Sequence, residues 1–212
     1  MKTNIDYWEK ILLEPTPIYQ ELFEKEKRWI QNSILPNSSV LDVGCGDGRN
    51  IKSLLEITRK ITGIDSDPQA IADAKKNLNE FPEIKILQAN ATNLPFPDES
   101  FQFIVFLDTL VNLGPNKVRV LTELRRVLRK DGKMLLSAYS EDALDNRLEI
   151  YEKIGLPIKK IEDGTVVIDE SPSYKSEQFS QEEIESAAKE AGLQIIRSEK
   201  VEKIAYLLEL GK

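Results

Sequence analysis

The stretch from Val40 to Asn50, VLDVGCGDGRN, constrains the fold more than any other part of the 212-residue chain. A short apolar run ends in glycine, and three glycines then stand at alternate positions, Gly44, Gly46 and Gly48. Glycine costs backbone entropy on folding, so it is expected where the backbone takes positive φ or approaches another group closely. The stretch therefore predicts a buried strand, a tight glycine loop and the start of a helix.

The segments after this loop alternate between strand and helix patterns. KITGIDSD, EIKILQAN, FQFIVFLDT and KMLLSAYS are short apolar runs typical of buried strands, whereas RNIKSLLEIT, DPQAIADAKKNLNEF and NKVRVLTELRRVLRKDGK are typical of helices. Asp67 and Pro68 suit the N-cap and first position of the second helix. Asp131-Gly132 is the predicted end of the third. This alternation predicts a parallel sheet covered on both faces.

The flanking segments predict additional elements. Residues 6–33 carry apolar and aromatic side chains at helical spacing, and Pro15 and Pro17 divide them into two helices. Further along we expect a helix in EDALDNRLEIYEKIGL, a strand in GTVVIDE and a loop in SPSYKSEQ. Ser180 followed by Glu183 predicts a capping box. LQIIRSEKV and KIAYLLEL predict a closing antiparallel pair of strands.

The composition excludes several kinds of chemistry. The chain has no histidine and one cysteine, Cys45, which excludes Ser-His and Cys-His catalysis, an intramolecular disulfide and His/Cys metal sites. We predict no metal. The formal net charge of −7 disfavours a broad grip on nucleic acid. No apolar run approaches the ~20 residues that span a bilayer, and a secretory signal pattern is missing, so we expect a cytoplasmic protein without a membrane partner.

An acid after the second predicted strand points to the kind of ligand. Ligands of parallel sheets bind at the carboxyl ends of the strands. Asp65 follows Gly44 by about 20 residues, the spacing of an acid that accepts hydrogen bonds from ribose hydroxyls; alternatively it is only a turn acid before Asp67. Together with the glycine loop it predicts an adenosine compound. NAD is a disfavoured alternative, because Arg49 stands where its loop needs a third glycine.

The chain resembles the class I S-adenosylmethionine-dependent methyltransferases with a Rossmann-like fold, within the methyltransferase type 11-like group. The resemblance rests on LDVGCGDGR, GIDSD, QANATNLPFPDESFQFIVF and ELRRVLRKDGKMLLS, and it covers about residues 38–140. It implies an α/β three-layer sandwich with a mostly parallel seven-stranded sheet, one antiparallel strand and a small lid from the N-terminal helices and an insertion. It also implies S-adenosylmethionine as cofactor. Asn90, Gln102 and Val111-Asn112 depart from the residues usual in that family.

The resemblance also implies roles for individual residues. Asp65 would bind the ribose, Ser66 would lie beside the adenine, and Asn90 would pair with the adenine edge. Asp42 would order the loop near the methionine amine, or is a strand-end turn acid. The predicted cofactor-binding residues are Tyr19, Asp42, Gly44, Cys45, Gly46, Gly48, Asp65, Ser66, Asn90, Ala91 and Leu107.

Four of these positions carry a more specific expectation. Gly44 and Gly46 are predicted to leave room for the methionine portion, and Gly48 to let the helix start close to the strand. Cys45 is interpreted as a small residue that suits the loop, not as a nucleophile, because no base partner is visible.

The predicted catalytic residues are Asp108, at the end of the fourth strand, and Tyr139, at the end of the fifth. A methyl group on a sulfonium is already activated, so positioning the acceptor supplies much of the acceleration, and a base is needed only if the acceptor must lose a proton. Asp108 is the candidate base or amine ligand; alternatively it caps the segment TLVNLG. Tyr139 is a second candidate, or a wall residue.

The sequence predicts a single domain over residues 1–212. Residues 1–35 form the helices of the lid, 38–140 the cofactor-binding core, 141–179 a substrate-side insertion and 180–212 a C-terminal helix and hairpin. We expect methyl transfer to a small-molecule acceptor. The alternatives are transfer to tRNA or to a protein, and a module that binds S-adenosylmethionine without catalysis.

Overall fold

The computed structural model describes residues 10–168 and 174–212. Its ten strands, in chain order, are β1 (Val40–Val43), β2 (Ile61–Asp65), β3 (Lys85–Gln88), β4 (Phe101–Phe106), β5 (Leu128–Tyr139), β6 (Ile158–Glu162), β7 (Thr165–Ile168), β8 (Tyr174–Ser176), β9 (Gln194–Val201) and β10 (Ala205–Gly211). Its helices of six residues or more are α1 (Pro17–Ser33), α2 (Arg49–Leu54), α3 (Pro68–Asn77), α4 (Lys117–Val127), α5 (Leu144–Lys153) and α6 (Gln181–Glu190).

Seven strands form one sheet in the order β3-β2-β1-β4-β5-β10-β9. Strand β1 runs parallel to β2 and β4, with Val40 aligned to Ile61 on one side and Phe103 on the other. Strand β10 runs antiparallel to both β5 and β9. The predicted mostly parallel sheet with one antiparallel strand is confirmed. The strand order reverses between β1 and β4, so the carboxyl ends of these strands border the crevice in which such sheets bind ligands.

Local signals of the sequence are found at the helix starts. Helix α1 begins at Pro17, as the proline break predicts, whereas residues 6–9 of the preceding predicted helix lie outside the described residues. Asp67 caps α3 by accepting a hydrogen bond from a backbone N–H two residues later at 2.8 Å. The capping box of α6 is complete: the Ser180 hydroxyl accepts from the Glu183 N–H at 3.2 Å, and Glu183 accepts from the Ser180 N–H at 2.7 Å.

Helix α4 ends at Val127, so the predicted end at Asp131-Gly132 is wrong. Leu128 is already a strand residue, fully buried and aligned with Phe101 of β4. The register then shifts, and the residues that follow are exposed before regular pairing resumes. Another helical turn would add only exposed charged residues, which bury no apolar surface, whereas pairing in the sheet buries Leu128.

A second, three-stranded antiparallel sheet was not predicted. Strand β7 confirms the described part of GTVVIDE, but β6 was not expected, and β8 occupies part of the predicted loop SPSYKSEQ. Strand β6 is exposed along its length, so its sequence lacks the alternation that reveals a half-buried strand. The chain then returns to the core, where the Phe179 N–H donates to the Tyr139 carbonyl at 2.9 Å.

The main core lies where helices cover the seven-stranded sheet. Leu41 and Ile104 of the central strands are fully buried, as are Leu121 and Leu124 on the inner face of α4. These apolar side chains account for the continuous hydrophobic runs that predict strands buried on both faces. Across residues 10–168 and 174–212, no helix is both long and apolar enough to cross a membrane.

Candidate functional site

The loop between β1 and α2 contains the three glycines of the first motif. Gly44, Gly46 and Gly48 have φ angles of 74°, 53° and 93°. These values lie in the left-handed region, which a residue with a side chain enters at a cost of about 1–2 kcal/mol. The backbone conformation therefore favours glycine at all three positions.

The three glycines differ in their surroundings. A Cβ on Gly44 would collide with the Thr109 side chain, and a Cβ on Gly48 would lie 2.9 Å from Leu78 Cδ1 at the end of α3. On Gly46 it would meet no atom of the described residues within 4 Å. The space that a side chain at Gly44 would need is thus occupied by Thr109. Of the three, Gly46 is the one that faces open space.

Asp65, at the end of β2, ties the glycine loop to the neighbouring strand. Its Oδ2 accepts a hydrogen bond from the Gly46 N–H at 3.1 Å, and its Oδ1 accepts one from the Asp67 N–H at 3.0 Å. Burial raises the pKa of Asp65, and these N–H donors oppose the rise. Each carboxylate oxygen retains further acceptor capacity. The predicted ribose acid can therefore hold the loop and still accept hydrogen bonds from a ligand hydroxyl.

Asp42 is a fully buried carboxyl in β1, beneath the loop. Among the described residues, neither of its oxygens has a hydrogen-bond partner. Burial raises the pKa of Asp42 to about 7, opposed by the charge of Arg49 and by the Asn50 amide, which is near the carboxyl without meeting hydrogen-bond geometry. Buried polar groups are normally paired. Asp42 is therefore a buried acid whose oxygens are not satisfied by hydrogen bonds from the described residues.

Cys45 is buried within the loop, and its surroundings argue against a reactive thiol. Burial raises the pKa of the Cys45 thiol well above its ordinary value, and the nearby charges of Asp42 and Asp65 add to the rise. The nucleophilic form of cysteine is the thiolate. This supports the interpretation of Cys45 as a small packing residue. In the described parts of the chain, no group of three or more His, Cys, Asp or Glu residues could hold a metal ion.

Four other predicted cofactor residues follow the strands β2, β3 and β4. Ser66 and Asn90 are exposed, Ala91 is half-buried and Leu107 is buried. Asn90 Oδ1 accepts hydrogen bonds from the N–H and hydroxyl of Thr92, at 2.9 and 2.8 Å. The acceptor side of Asn90 is thus engaged in its own turn, and its amide N–H donors remain for a ligand.

Asp108 follows β4 and forms part of a buried charged cluster. It has a φ of 53°, its N–H donates to Ser137 Oγ at 2.9 Å, and its Oδ2 pairs with Arg49 Nη2 at 3.3 Å. It does not cap TLVNLG: the turn there is preceded by Thr109 and has no side-chain cap. Burial raises the pKa of Asp108, and the Arg49 charge opposes the rise.

Glu26, which the sequence analysis did not single out, completes this cluster. Its Oε2 pairs with Arg49 Nη2 at 3.2 Å, and its Oε1 accepts a hydrogen bond from Ser137 Oγ at 2.7 Å. The sequence signal that could have identified Glu26 is an acidic residue within the apolar stripe of a helix. The buried face of α1 consists of Tyr19, Leu22, Glu26, Trp29 and Ile30.

Tyr19 of α1 and Tyr139 at the end of β5 contact each other in the core. The Tyr19 hydroxyl donates to the Tyr139 hydroxyl at 3.1 Å, and both side chains are fully buried. Burial raises the pKa of both phenols well above 10, so both stay protonated at neutral pH. The Arg147 guanidinium lies over the Tyr139 ring, 4.8 Å from its centroid. In this arrangement Tyr139 can orient a group but is no base.

Comparison with known proteins agrees with this geometry. Residues 41–136 match the family model described as a methyltransferase domain. A Mycobacterium tuberculosis protein named as a probable S-adenosylmethionine-dependent methyltransferase is 31% identical over 98 residues, which are 46% of this chain. This chain spans 34% of the length of that relative. A ubiquinone/menaquinone biosynthesis C-methyltransferase of Hahella chejuensis is 28% identical over 178 residues, 77% of this chain and 70% of that protein.

The fold is shared with solved structures. A crystal structure of an S-adenosylmethionine-dependent methyltransferase from Aquifex aeolicus superimposes with a TM-score of 0.73, at 20% identity, over 99% of this chain and 98% of that chain. At this identity the likeness shows the Rossmann-like fold, which the sheet order also shows. The family match lies on the strands and loops that build the site. The chain therefore has a Rossmann-like fold, and its residues 41–136 are similar to the methyltransferase domain of S-adenosylmethionine-dependent methyltransferases.

Proposed function

We propose that this protein transfers the methyl group of S-adenosylmethionine to a small-molecule acceptor. The observation that carries the proposal is the hydrogen bond from the Gly46 N–H to Asp65, because it joins the open part of the glycine loop to the predicted ribose acid. A loop and an acid held together in this way suit one nucleoside ligand whose tail lies along the loop.

The chain's own groups suit this cofactor. Asp65 has acceptor capacity for ribose hydroxyls, and Asn90 has free amide donors for a ring acceptor. The unpaired Asp42 beneath the loop is compatible with the amine of the methionine portion. When bound, the cofactor supplies a methyl group activated by a positively charged sulfur. The protein's part is then mainly to hold and orient.

A small acceptor is favoured over a nucleic acid or a protein. The net charge of −7 disfavours a polyanion, and one of the relatives is named as a C-methyltransferase of ubiquinone/menaquinone biosynthesis. We propose Asp108 as the group that contacts the acceptor, with Tyr139 orienting it. Asp108 lies at the carboxyl end of β4, on the ligand-binding edge of the sheet. Transfer to tRNA or protein, and a non-catalytic binding module, are the alternatives.

Calorimetry tests the ligand class. Titration with S-adenosylhomocysteine should show binding, and titration with NAD should show none; the reverse result rejects the proposal. Asp65→Ala should raise the Kd for S-adenosylhomocysteine about 10- to 100-fold, the value of one or two hydrogen bonds to a charged acceptor. Asp73→Ala, which removes an acid from α3, is the matched control and should leave the Kd within about twofold. An unchanged affinity in Asp65→Ala removes Asp65 from the site.

A transfer assay separates the enzyme from the binding module. The protein is incubated with S-adenosylmethionine carrying a labelled methyl group and with a metabolite extract, purified tRNA or a protein extract in separate reactions. We expect labelled product in the metabolite fraction, lost or reduced by about 10²- to 10⁴-fold in Asp108→Asn if Asp108 assists proton transfer. Label in tRNA or protein instead selects that alternative, and no label in any fraction favours the binding module.

A further inference from the structure

The carboxyls of Glu26 and Asp108 share two polar partners, the Arg49 guanidinium and the Ser137 hydroxyl. One oxygen of each lies on Arg49 Nη2, at 3.2 and 3.3 Å. The other oxygen of each lies on Ser137 Oγ, at 2.7 and 3.3 Å. Both carboxyls are more than nine-tenths buried. Helix α1, the first residue of α2, strand β5 and the residue two positions after β4 therefore converge at this carboxyl pair.

The hydrogen bonds of Ser137 indicate that the pair holds a proton. Its hydroxyl already accepts from the Asp108 N–H at 2.9 Å and donates its single proton towards Glu26 at 2.7 Å. A hydroxyl has no second proton for Asp108. The remaining contact, from Ser137 Oγ to Asp108 Oδ1 at 3.3 Å, becomes a hydrogen bond when the Asp108 carboxyl carries a proton.

Charge balance leads to the same conclusion. Two buried carboxylates face one guanidinium, which leaves one negative charge uncompensated unless a proton is bound. Burial raises the pKa of Glu26 to about 8, and the Asp108 charge adds to the rise while Arg49 opposes it. The other titratable groups that interact with the cluster are an acid, Asp42, and the two phenols. The buried cation Arg147 lies over the Tyr139 ring, but it donates to the carbonyls of Gly164 and Ser176 and not to either carboxyl of the pair.

We propose that the Glu26–Asp108 pair holds one shared proton and exchanges it for the positive charge of the cofactor's sulfonium. The inference rests on the proposed function, and it adds a proton linkage in which Glu26 acts as a positioning residue through Asp108. Asp108 and Arg49 flank the glycine loop in the fold, at the end of β4 and the start of α2. A cation brought to this edge compensates the second carboxylate, so the proton leaves to solvent.

Two nucleosides that differ in charge at sulfur test the linkage without any acceptor. S-adenosylmethionine carries the sulfonium, whereas S-adenosylhomocysteine has a neutral thioether and otherwise the same ionisable groups. Calorimetric titration of both, between pH 6 and 9 in buffers with different ionisation enthalpies, gives affinities and proton counts. We expect S-adenosylmethionine to release more protons than S-adenosylhomocysteine, by up to about one near neutral pH. Its relative affinity should rise up to about tenfold per pH unit and level off above about pH 8.

Variants of one helix connect the linkage to Glu26. Glu26→Gln keeps the side-chain size and leaves Asp108 paired with Arg49 as a neutral pair. Its affinity ratio for the two nucleosides should lose the pH dependence, while its S-adenosylhomocysteine affinity stays within about threefold of wild type, which also shows that the fold is intact. Glu24→Gln removes the same charge from an exposed position of α1 and should keep the wild-type profile. Ser137→Ala, a second variant, should reduce the proton count.

The outcomes separate this inference from the proposed function. Binding of both nucleosides with equal proton counts and parallel pH profiles overturns the shared proton alone and leaves the cofactor assignment in place. A wild-type profile in Glu26→Gln overturns the role of Glu26. Failure of both nucleosides to bind at every pH overturns the proposed function and this inference with it.

Discussion

The hydroxyls of Tyr19 and Tyr139 lie 3.1 Å apart inside the core and join α1 to the carboxyl end of β5. Their rings meet edge to face, with centroids 6.3 Å apart. The helix predicted as part of a lid is thereby held against the strand that carries a predicted catalytic residue. Burial of the two side chains raises the pKa of both phenols above its ordinary value of about 10.

Removing either hydroxyl should destabilise the fold, and removing both should cost less than the sum. Tyr19→Phe and Tyr139→Phe should each lower the free energy of unfolding by about 1 kcal/mol, because the remaining hydroxyl loses its buried partner. The double variant leaves no orphaned hydroxyl. Urea unfolding of the four proteins gives the coupling, expected at about 0.5–1 kcal/mol. Strict additivity would show that the hydrogen bond contributes nothing.

Gly44→Ala and Gly46→Ala should separate packing from ligand space. Both introduce a side chain at positive φ, which costs about 1–2 kcal/mol. At Gly44 the collision with Thr109 adds about 1–3 kcal/mol. Urea unfolding should therefore rank Gly44→Ala as the less stable protein, and Thr109→Ala should restore part of its stability. Gly46→Ala should instead weaken S-adenosylhomocysteine binding in calorimetry; unchanged binding would mean that the open side of Gly46 is not used.

Arg147 should be a structural requirement of the second sheet. Its guanidinium is fully buried and donates to the carbonyls of Gly164 and Ser176, at 2.9 and 2.6 Å, and to Gln178 Oε1 at 3.1 Å. Arg147→Lys cannot reproduce this fork. We expect a loss of about 2–4 kcal/mol in the free energy of unfolding, from several buried hydrogen bonds. Lys153→Met, at an exposed position of the same helix, should change it by no more than about 0.5 kcal/mol.

Asp42 should make the protein less stable as the pH rises. Its pKa of about 7 in the folded protein lies above the unfolded value of 3.8, so the folded state holds more protons between these values. Stability is therefore lost as the pH rises from about 4 to 7, by roughly 4 kcal/mol for a shift of this size. Asp42→Asn has no such titration. In urea unfolding, the free energy of unfolding of Asp42→Asn relative to wild type should be higher at pH 8 than at pH 5.

The same variant offers a check on the ligand side. If Asp42 receives the amine of the methionine portion, Asp42→Asn should bind S-adenosylhomocysteine more weakly at pH 8. A variant that is more stable and also binds as tightly as wild type would assign Asp42 no part in the cofactor site. Equal stability differences at both pH values would show that Asp42 does not titrate in this range.

Several elements were predictable because their signals are local. Positive φ at Gly46, the N-cap Asp67 and the Ser180–Glu183 capping box depend on a few neighbouring residues, so the sequence alone indicates them. The end of α4 was not predictable in this way. Leu128 continues the helical pattern, and its pairing with Phe101 in a distant strand overrides local propensity.

The sequence by itself determined the parallel sheet, the glycine loop and the acid at the end of the second strand, because hydrophobic periodicity and motif spacing act along the chain. Only the tertiary structure decided that Glu26, Arg49 and Ser137 meet at Asp108, since they come from four separate elements up to 111 residues apart. The spacing of residues along the sequence does not predict a cluster formed by such long-range contacts. Its protonation depends on burial and on the count of opposite charges, which exist only once the elements are packed.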